Sequence, residues 1–425
     1  MGLLLTVLLL AVLVLGMPVA FGMGLIALVY LLLAGDFALT TIPQKIFSGM
    51  ESFLLLAIPF FLLAGSLMNH GGITRRLVAF ASTLVGHIYG GLGQVTVLAN
   101  VIMAGMSGTA AADAVATGKV LIPSMIREGY SRGFAAAISA SAATIGPIIP
   151  PSVAFVIFGS LTGVSIGQLF LAGCIPGLLM GVYLMVTCYL VARRRGWRGS
   201  GRRAGGREVW RAFVAAAPSM LTPVFVLGGM VGGIVTATEA AAIAVLYSLF
   251  LGICYGELKP AHAGPILTEV TVTTAVIYLL IGVFNLLGWI LAIEQIPQAI
   301  TGAFLDLTDN PIVALLVINA VLLVLGMVME PVPMMVLLGP MLVAVARQYG
   351  VDPVHFGVVF VLNILIGVVT PPIGTNMFIA CALARCGVGE FTREAIPFLI
   401  ALTLLLLLIT YVPALTLWLP EALMR

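Results

Sequence analysis

The chain has 425 residues, of which 61% are hydrophobic and only 8% are charged, whereas a soluble domain carries about 25% charged residues. So few charges could not cover the surface of a soluble protein of this length, and apolar stretches long enough to span a bilayer as helices recur throughout, without the alternation of a β-barrel. The composition predicts an all-α polytopic membrane protein in a lipid bilayer, and the net charge of +3 predicts no nucleic-acid partner.

The first apolar run has the hydrophobicity of a signal peptide. No Lys or Arg precedes it, so the positively charged n-region is missing, and we expect a retained first helix. The later runs divide the chain into five parts. These are a first group of helices at 1–91, a first repeat at 92–192, a basic loop at 193–211, a second group of helices at 212–310, and a second repeat at 311–425.

The loop at 193–211 is the longest polar stretch and carries eight arginines, so the positive-inside rule makes it cytoplasmic. Suppose that the segments 92–127 and 311–349 are hairpins that enter and leave on one side of the membrane. Seven further basic residues then also lie on the cytoplasmic side, so that 15 of the 19 Lys and Arg residues are cytoplasmic. If these segments were single spans, the arginines would scatter to both sides. The charges therefore predict two re-entrant hairpins and two periplasmic termini.

The two repeats match each other at an offset of 221 residues. The matching pairs of helix-breaking residues are Gly105 with Gly326, Gly129 with Gly350, Gly146 with Gly367, and Pro150 and Pro151 with Pro371 and Pro372. The predicted topology puts the first hairpin on the cytoplasmic side and the second on the periplasmic side. Inverted repeats with interrupted helices at matching positions are the signature of a secondary transporter whose site lies near the midplane.

Each repeat has two interruptions, a hairpin tip and a Gly/Pro-rich helix break. They lie at 105–109 and 146–152 in the first repeat and at 326–330 and 367–376 in the second. A double proline frees the carbonyls one turn earlier, and unwound backbone survives in a membrane only where it lines a cavity. One alternative is that the prolines are kinks that only shape packing.

A sodium ion is a suitable partner for such carbonyls. The carbonyls near 146–150 and 367–370, with the hydroxyls of Ser107, Thr109 and Thr370, predict two similar oxygen cages. The half-helix N-termini that follow suit a carboxylate because they present N–H groups and a positive dipole end. Ser152, Thr375 and Asn376 follow the double prolines and are candidate substrate ligands.

Charged residues inside membrane segments are functional candidates by default. Asp113 and Lys119 lie in the second limb of the first hairpin, and each either pairs elsewhere or faces an aqueous vestibule; Asp113 is a further candidate substrate residue. Glu239 opens a helix and is predicted to cap it. Glu330 is predicted to gate or pack at the second tip in preference to the alternative, ligation of an ion. The histidines are expected at the ends of spans. The five cysteines have no metal-site spacing and predict packing without disulfides.

These segments resemble a known family. The sequence GMSGTAAAD at 105–113, followed by LIPSM at 121–125, resembles the first hairpin of the large (M) subunit of tripartite ATP-independent periplasmic (TRAP) transporters. AIPFFLLAG at 57–65, TATEAA at 236–241, TPPIG at 370–374 and the break at 146–152 resemble the same subunit. The resemblance covers essentially the whole chain.

The resemblance implies an elevator-type sodium symporter subunit in the bacterial inner membrane. It implies a separate small four-helix membrane subunit (Q-type) and a periplasmic substrate-binding protein (P-type) as partners. The implied sodium ligands are Ser107, Gly146, Ile149 and Pro150 in one site and Gly326, Gly367, Thr370 and Ile373 in the other. Thr109 stands where the family often has Ser, so the hydroxyl is retained.

Three other functions are compatible with parts of the sequence. A standalone sodium–dicarboxylate symporter would need no binding protein, and an ion or arsenite exchanger would need an indispensable acid such as Asp113 or Glu330. An intramembrane serine protease would use Ser107 in its GMSG segment, but no His lies convincingly mid-span to serve as its base. The substrate stays open among sialic acid, C4-dicarboxylates, keto acids and sugar acids, and coupling to two or more sodium ions is expected.

Overall fold

The computed structural model describes residues 17–35 and 37–424, without the side chain of Ser107. The beginning of the retained first helix that the sequence predicts lies outside these residues. Every regular element of the described part is helical. The α-helices are α1 Val19–Ala34, α2 Thr41–Met50, α3 Ala57–His70, α4 Ile73–Val85, α5 Gly91–Ser107, α6 Ala110–Arg127, α7 Arg132–Ala143, α8 Val153–Thr162, α9 Ile166–Arg195, α10 Gly206–Val231, α11 Ala237–Cys254, α12 Ala263–Ile293, α13 Ile296–Leu307, α14 Pro311–Gly326, α15 Pro331–Gln348, α16 Pro353–Gly367, α17 Thr375–Ala384, α18 Val388–Tyr411 and α19 Ala414–Leu423.

The helix boundaries confirm the 221-residue repeat. Both ends of α6 coincide with those of α15 at that offset, and α7 begins where α16 does. Gly129 and Gly350, which follow α6 and α15, both have left-handed backbone, with φ of 87° and 71°, a conformation that glycine adopts without a Cβ penalty. The Pro150–Pro151 and Pro371–Pro372 peptide bonds are both cis. The two halves therefore share their helices, their turns and their breaks.

Side-chain caps explain where several of these helices begin. Oδ1 of Asp352 accepts hydrogen bonds from the backbone N–H groups of Val354 at 2.7 Å and His355 at 3.1 Å, ahead of α16. At α11 the Thr236 hydroxyl accepts from the N–H of Glu239 at 3.3 Å, and Oε2 of Glu239 accepts from the N–H of Thr236 at 2.8 Å. This reciprocal capping box confirms the capping role predicted for Glu239.

The two repeats are packed into each other. Helix α6 of the first repeat packs on α17 of the second, and α15 of the second packs on α8 of the first. Likewise α7 packs on α18 and α16 packs on α9. All of 133–143 in α7 and 354–367 in α16 is buried, so these helices form the centre of the body. The breaks follow directly after them, which puts polar backbone in the middle of the protein.

The remaining helices, α1–α4 and α10–α13, carry much of the exposed apolar surface. Trp210, Val224, Phe225 and Leu246 are among their exposed side chains, as expected for groups facing lipid. Within the described residues, seven helices are long and apolar enough to cross a membrane. The re-entrant course of the two hairpins stays a prediction, as does the division into five parts.

Two minor predictions have different outcomes. The five cysteines all lie in the described part and are free thiols, as predicted. His355 lies at the start of α16, as expected for the end of a span, but its ring is enclosed by protein: its Nδ1 lies 2.8 Å from the Thr416 hydroxyl and its Nε2 lies 3.2 Å from the Thr410 carbonyl. The reason is that α19 folds back over the start of α16 and contributes Thr416 as a partner.

Candidate functional site

The first hairpin tip docks onto the first helix break by backbone contact. The N–H of Val153 donates to the carbonyl of Gly108 at 3.3 Å. Gly108 has a φ of 64°, and a Cβ there would lie 3.0 Å from the Pro151 carbonyl, so the close approach requires glycine. Residues 105–109 and 146–152 together form what we call the first junction.

The carboxylate of Asp113 lies in the first junction. A side chain at Gly146 would collide with Oδ2 of Asp113, which is 0% exposed. Behind it, the Asn100 amide donates to the Thr117 hydroxyl at 3.3 Å, and that hydroxyl donates to the Asp113 carbonyl at 2.7 Å. A buried carboxylate beside interrupted backbone makes the first junction electronegative, which favours a cation.

The two segments that carry the residues predicted for the first sodium site meet at this junction. The Pro150 carbonyl would lie 3.4 Å from a Cβ on Gly105, so the limb before the tip touches the break. Ile149 packs against Gly177 of α9, and Thr109 is half-buried beside a cavity described below. Ser107 ends α5, and its side chain lies outside the described part of the structure.

The second junction, residues 326–330 and 367–376, repeats this docking. The N–H of Ile373 donates to the Met327 carbonyl at 3.1 Å. A Cβ on Gly367 would lie 2.5 Å from the carbonyl carbon and oxygen of Gly326, so here the two backbones touch. The Thr370 hydroxyl donates to the Ile366 carbonyl at 2.7 Å, which leaves its oxygen lone pairs for a ligand. The residues predicted for the second site are thus brought together.

The candidate substrate residues after the breaks differ from one another. Ser152 is fully buried, donates to the Pro147 carbonyl, and accepts from the N–H of Phe155 at 3.1 Å, so its hydroxyl caps α8. Thr375 is half-buried at the start of α17. Asn376 is 1% exposed, and its amide nitrogen has no hydrogen-bond partner among the described residues. Asn376 is therefore the clearest donor for a ligand.

A cavity of about 680 Å³ begins at Thr109 and separates α6 from α3, α12 and the start of α4. Its polar lining includes Ser66, Asn69, Arg75, Lys119, Glu269 and Thr273. Asp113 lies on another face of α6, toward Gly146, so the two charges of this limb are separated: Asp113 faces the break and Lys119 faces the cavity. Sequence reasoning missed Ser66, Asn69 and Glu269, although polar residues in the apolar α3 were an available signal.

A family model described as "Tripartite ATP-independent periplasmic transporter, DctM component" matches residues 6–415. The chain belongs to this family. One relative of this TRAP large permease is the sialic acid TRAP transporter large permease protein SiaM of Vibrio cholerae, which is 44% identical over 96% of this chain and 95% of that protein. Another is the C4-dicarboxylate TRAP transporter large permease protein DctM of Pseudomonas aeruginosa, 38% identical over 94% of this chain and 93% of that protein.

Among solved structures, the YdaH transporter of Alcanivorax borkumensis superposes on this TRAP large permease with a TM-score of 0.64. It covers 90% of this chain and 88% of its own, at 14% sequence identity. A likeness at that identity shows the fold alone. The family membership and the fold of a polytopic transporter, predicted from the sequence, are thus both confirmed.

Proposed function

We propose that this TRAP large permease imports a small organic acid together with sodium ions by an elevator movement of its two packed repeats. The observation that carries the proposal is the pair of junctions, each joining a hairpin tip to a helix break through backbone hydrogen bonds. Carbonyl and hydroxyl oxygens are the ligands that hard cations such as sodium prefer. Tip and break belong to separate elements, so an ion bound between them would hold the tip closed.

The first sodium site would use Thr109, Ser107 and the carbonyls of Gly146, Ile149 and Pro150, with Asp113 supplying negative charge. The sequence predicts Asp113 as a substrate residue. Its buried carboxylate against Gly146 would repel an anionic substrate and attract a cation, so we move it to the ion site. The second sodium site would use Gly326, Gly367, Thr370 and Ile373.

The substrate carboxylate would bind between the two junctions, at the N-terminus of α17. The buried amide of Asn376 and the hydroxyl of Thr375 are the proposed donors there, with the helix dipole adding favourable potential. Ser152 would shape the break without contacting substrate, because both hydrogen bonds of its hydroxyl are internal. The relatives named above transport sialic acid and C4-dicarboxylates according to their names, so the substrate is proposed as an organic acid of that kind.

Membership of a tripartite family supports two partners, a small four-helix membrane subunit and a periplasmic binding protein that delivers the substrate. The complex would lie in the bacterial inner membrane with both termini of this chain in the periplasm. A charge that crosses the membrane gains or loses about 2.3 kcal/mol per 100 mV. Importing a monocarboxylate with one sodium ion is electroneutral, so two ions would make the uptake voltage-driven.

Uptake by proteoliposomes tests the proposal. They would hold this chain with its small subunit, and radiolabelled sialate or succinate would be added outside with the cognate binding protein. We expect accumulation with an inward sodium gradient and none when potassium replaces sodium. Accumulation that ignores the removal of sodium contradicts sodium coupling, and accumulation without the binding protein would favour a standalone symporter.

A further inference from the structure

The cavity beside the first hairpin has two cations on its walls that the proposed sodium and substrate sites do not use. Lys119 projects from α6 and Arg75 from the start of α4, and both are exposed to the cavity. Among the described residues, neither makes an ion pair within 4 Å. Unpaired cations on two different elements that line one cavity indicate a place where an anion binds.

The carboxylate on the same walls does not neutralise these cations. Glu269 of α12 accepts a hydrogen bond from the Ser66 hydroxyl at 2.8 Å, and this ties it to α3. Asp113, on the same helix as Lys119, is buried toward Gly146 instead. The cavity therefore has one carboxylate on the wall formed by α3 and α12, and Lys119 on the facing wall formed by α6.

Lys119 lies far from both ends of α6, so a role at the membrane–water interface alone does not explain it. Lys119 is eight residues before Arg127, which ends α6, so it lies about 12 Å deeper along the helix axis. It is ten residues after Thr109, which is about 15 Å at the same rise. A lysine this far from a helix end is a functional candidate when it faces an aqueous cavity. Its position lies along the cavity between the first tip and the helix end.

We propose that Lys119 and Arg75 form a second carboxylate-binding site, on the path by which the organic acid leaves the substrate site between the two junctions for the cytoplasm. The inference rests on the proposed function for its substrate, but binding itself needs neither sodium nor a binding protein. Arg and Lys recognise carboxylates by charge-assisted hydrogen bonds, and Asn69 and Thr273 on the same walls suit hydroxyl groups of the acid. The ligand class is a hydroxylated organic carboxylate.

Protection of Lys119 from acylation tests this site without requiring transport. The chain has three lysines, Lys45, Lys119 and Lys259, so peptide mass spectrometry resolves each one. Inside-out vesicles holding the chain and its small subunit would be treated with a membrane-impermeant N-hydroxysuccinimide ester. We expect 50 mM sialate or malate, both hydroxylated carboxylates, to slow acylation of Lys119 at least threefold relative to chloride of equal ionic strength, and to leave acylation of Lys259 unchanged.

Two variants sharpen the test. Arg75→Gln removes the other cation and is expected to reduce the protection of Lys119 to less than half. Arg127→Gln removes a cation from the end of the same helix, outside the cavity, and is expected to leave the protection unchanged. Equal acylation of Lys119 in carboxylate and in chloride, or a Lys119 that the reagent never reaches, would overturn the proposal.

Transport separates this inference from the proposed function. We expect Lys119→Gln to lower the maximal uptake rate at least fivefold with the sodium dependence changed by less than twofold, and Lys119→Arg to restore more than half of the rate. If the unmodified chain transports with sodium but Lys119→Gln equals it, the second site is wrong and the proposed function stands. If protection is seen but uptake ignores sodium, the proposed function is wrong and the second site stands.

Discussion

In the first junction, Gly146 faces the carboxylate of Asp113, whereas in the second junction Gly367 faces the backbone of Gly326. The residue that corresponds to Asp113 in the second repeat is Met334, which is fully buried. The first break is almost entirely buried, while Ile373 of the second break is 50% exposed. One backbone design thus carries an enclosed junction with a buried carboxylate and a more open junction whose one acidic residue, Glu330, is exposed.

The two repeats thus share their backbone geometry while each has its own chemistry. A glycine is needed at 146 and at 367 because something approaches the backbone closely in both places, but a side chain approaches in one and a main chain in the other. We therefore expect the first junction to bind its ion more tightly, because a carboxylate adds charge to the neutral oxygen ligands. The second junction is expected to exchange its ion more readily, because it is less enclosed.

The largest effect is expected from Asp113→Asn. Removing one partner of a buried charge interaction costs about 3 kcal/mol or more, which corresponds to roughly a 100-fold weaker ion affinity. The half-saturating sodium concentration for uptake should rise accordingly. Met334→Leu at the corresponding position of the second repeat is the matched control and should change it by less than twofold. If the two variants behave alike, the charge difference between the junctions has no functional consequence.

A second comparison concerns the two glycines. In Gly367→Ala the new methyl group meets the main chain of Gly326, which cannot rotate away, so overpacking should destabilise the protein by about 1–3 kcal/mol. In Gly146→Ala it meets the end of a side chain that can shift, so the loss of stability should be smaller. Thermal unfolding of the purified protein in detergent measures both. A larger loss for Gly146→Ala would contradict the contacts described for the two junctions.

Thr370 tests the second junction. Thr370→Val removes a hydroxyl oxygen from the proposed second site, and a hydrogen bond or ligand contact to a charged group is worth about 1.5 kcal/mol, roughly tenfold in affinity. The half-saturating sodium concentration should rise by that factor. Thr370→Ser retains the oxygen and should keep the sodium dependence of the unmodified chain. A serine variant as impaired as the valine variant would indicate a packing role.

The smallest effect is expected at a helix cap outside both junctions. Thr236→Ala removes the cap of α11 and should reduce stability by about 1 kcal/mol, without changing the sodium dependence of uptake. This variant supplies a baseline, because it separates the consequences of lower stability from those of a lost ion ligand. A shift in sodium dependence in Thr236→Ala would mean that the junction variants cannot be interpreted through ligand loss alone.

Much of this molecule could be predicted from the sequence because helix-breaking residues act locally. Glycines and prolines at matching positions give the two tips, the two breaks and the repeat, and the segment TATEAA gives a capping box from residues three apart. The sequence does not show which part of the folded protein lies beside each face of a helix. Asp113 and Lys119 are six residues apart, so they point in different directions, but only the packed structure puts Gly146 beside one and the cavity beside the other.

The cavity was hidden from the sequence for the same reason. Its walls come from α3, α6 and α12, and Ser66 and Glu269 are 203 residues apart in the chain. The role of Ser152 could not be predicted from the sequence either, because a serine after a double proline can serve equally well as a substrate ligand or as a helix cap. Only the two hydrogen bonds of its hydroxyl distinguish the two.

The central claim is that the two junctions bind sodium, and that Asp113 distinguishes the first. Equilibrium binding of sodium-22 to the purified complex of this chain and its small subunit tests it most directly. We predict saturable binding of two sodium ions per chain in the unmodified protein. At the same sodium concentration, Asp113→Asn should lose one of these ions and Thr370→Val the other. Sodium binding that is absent, or that is identical in the unmodified protein and Asp113→Asn, would contradict it.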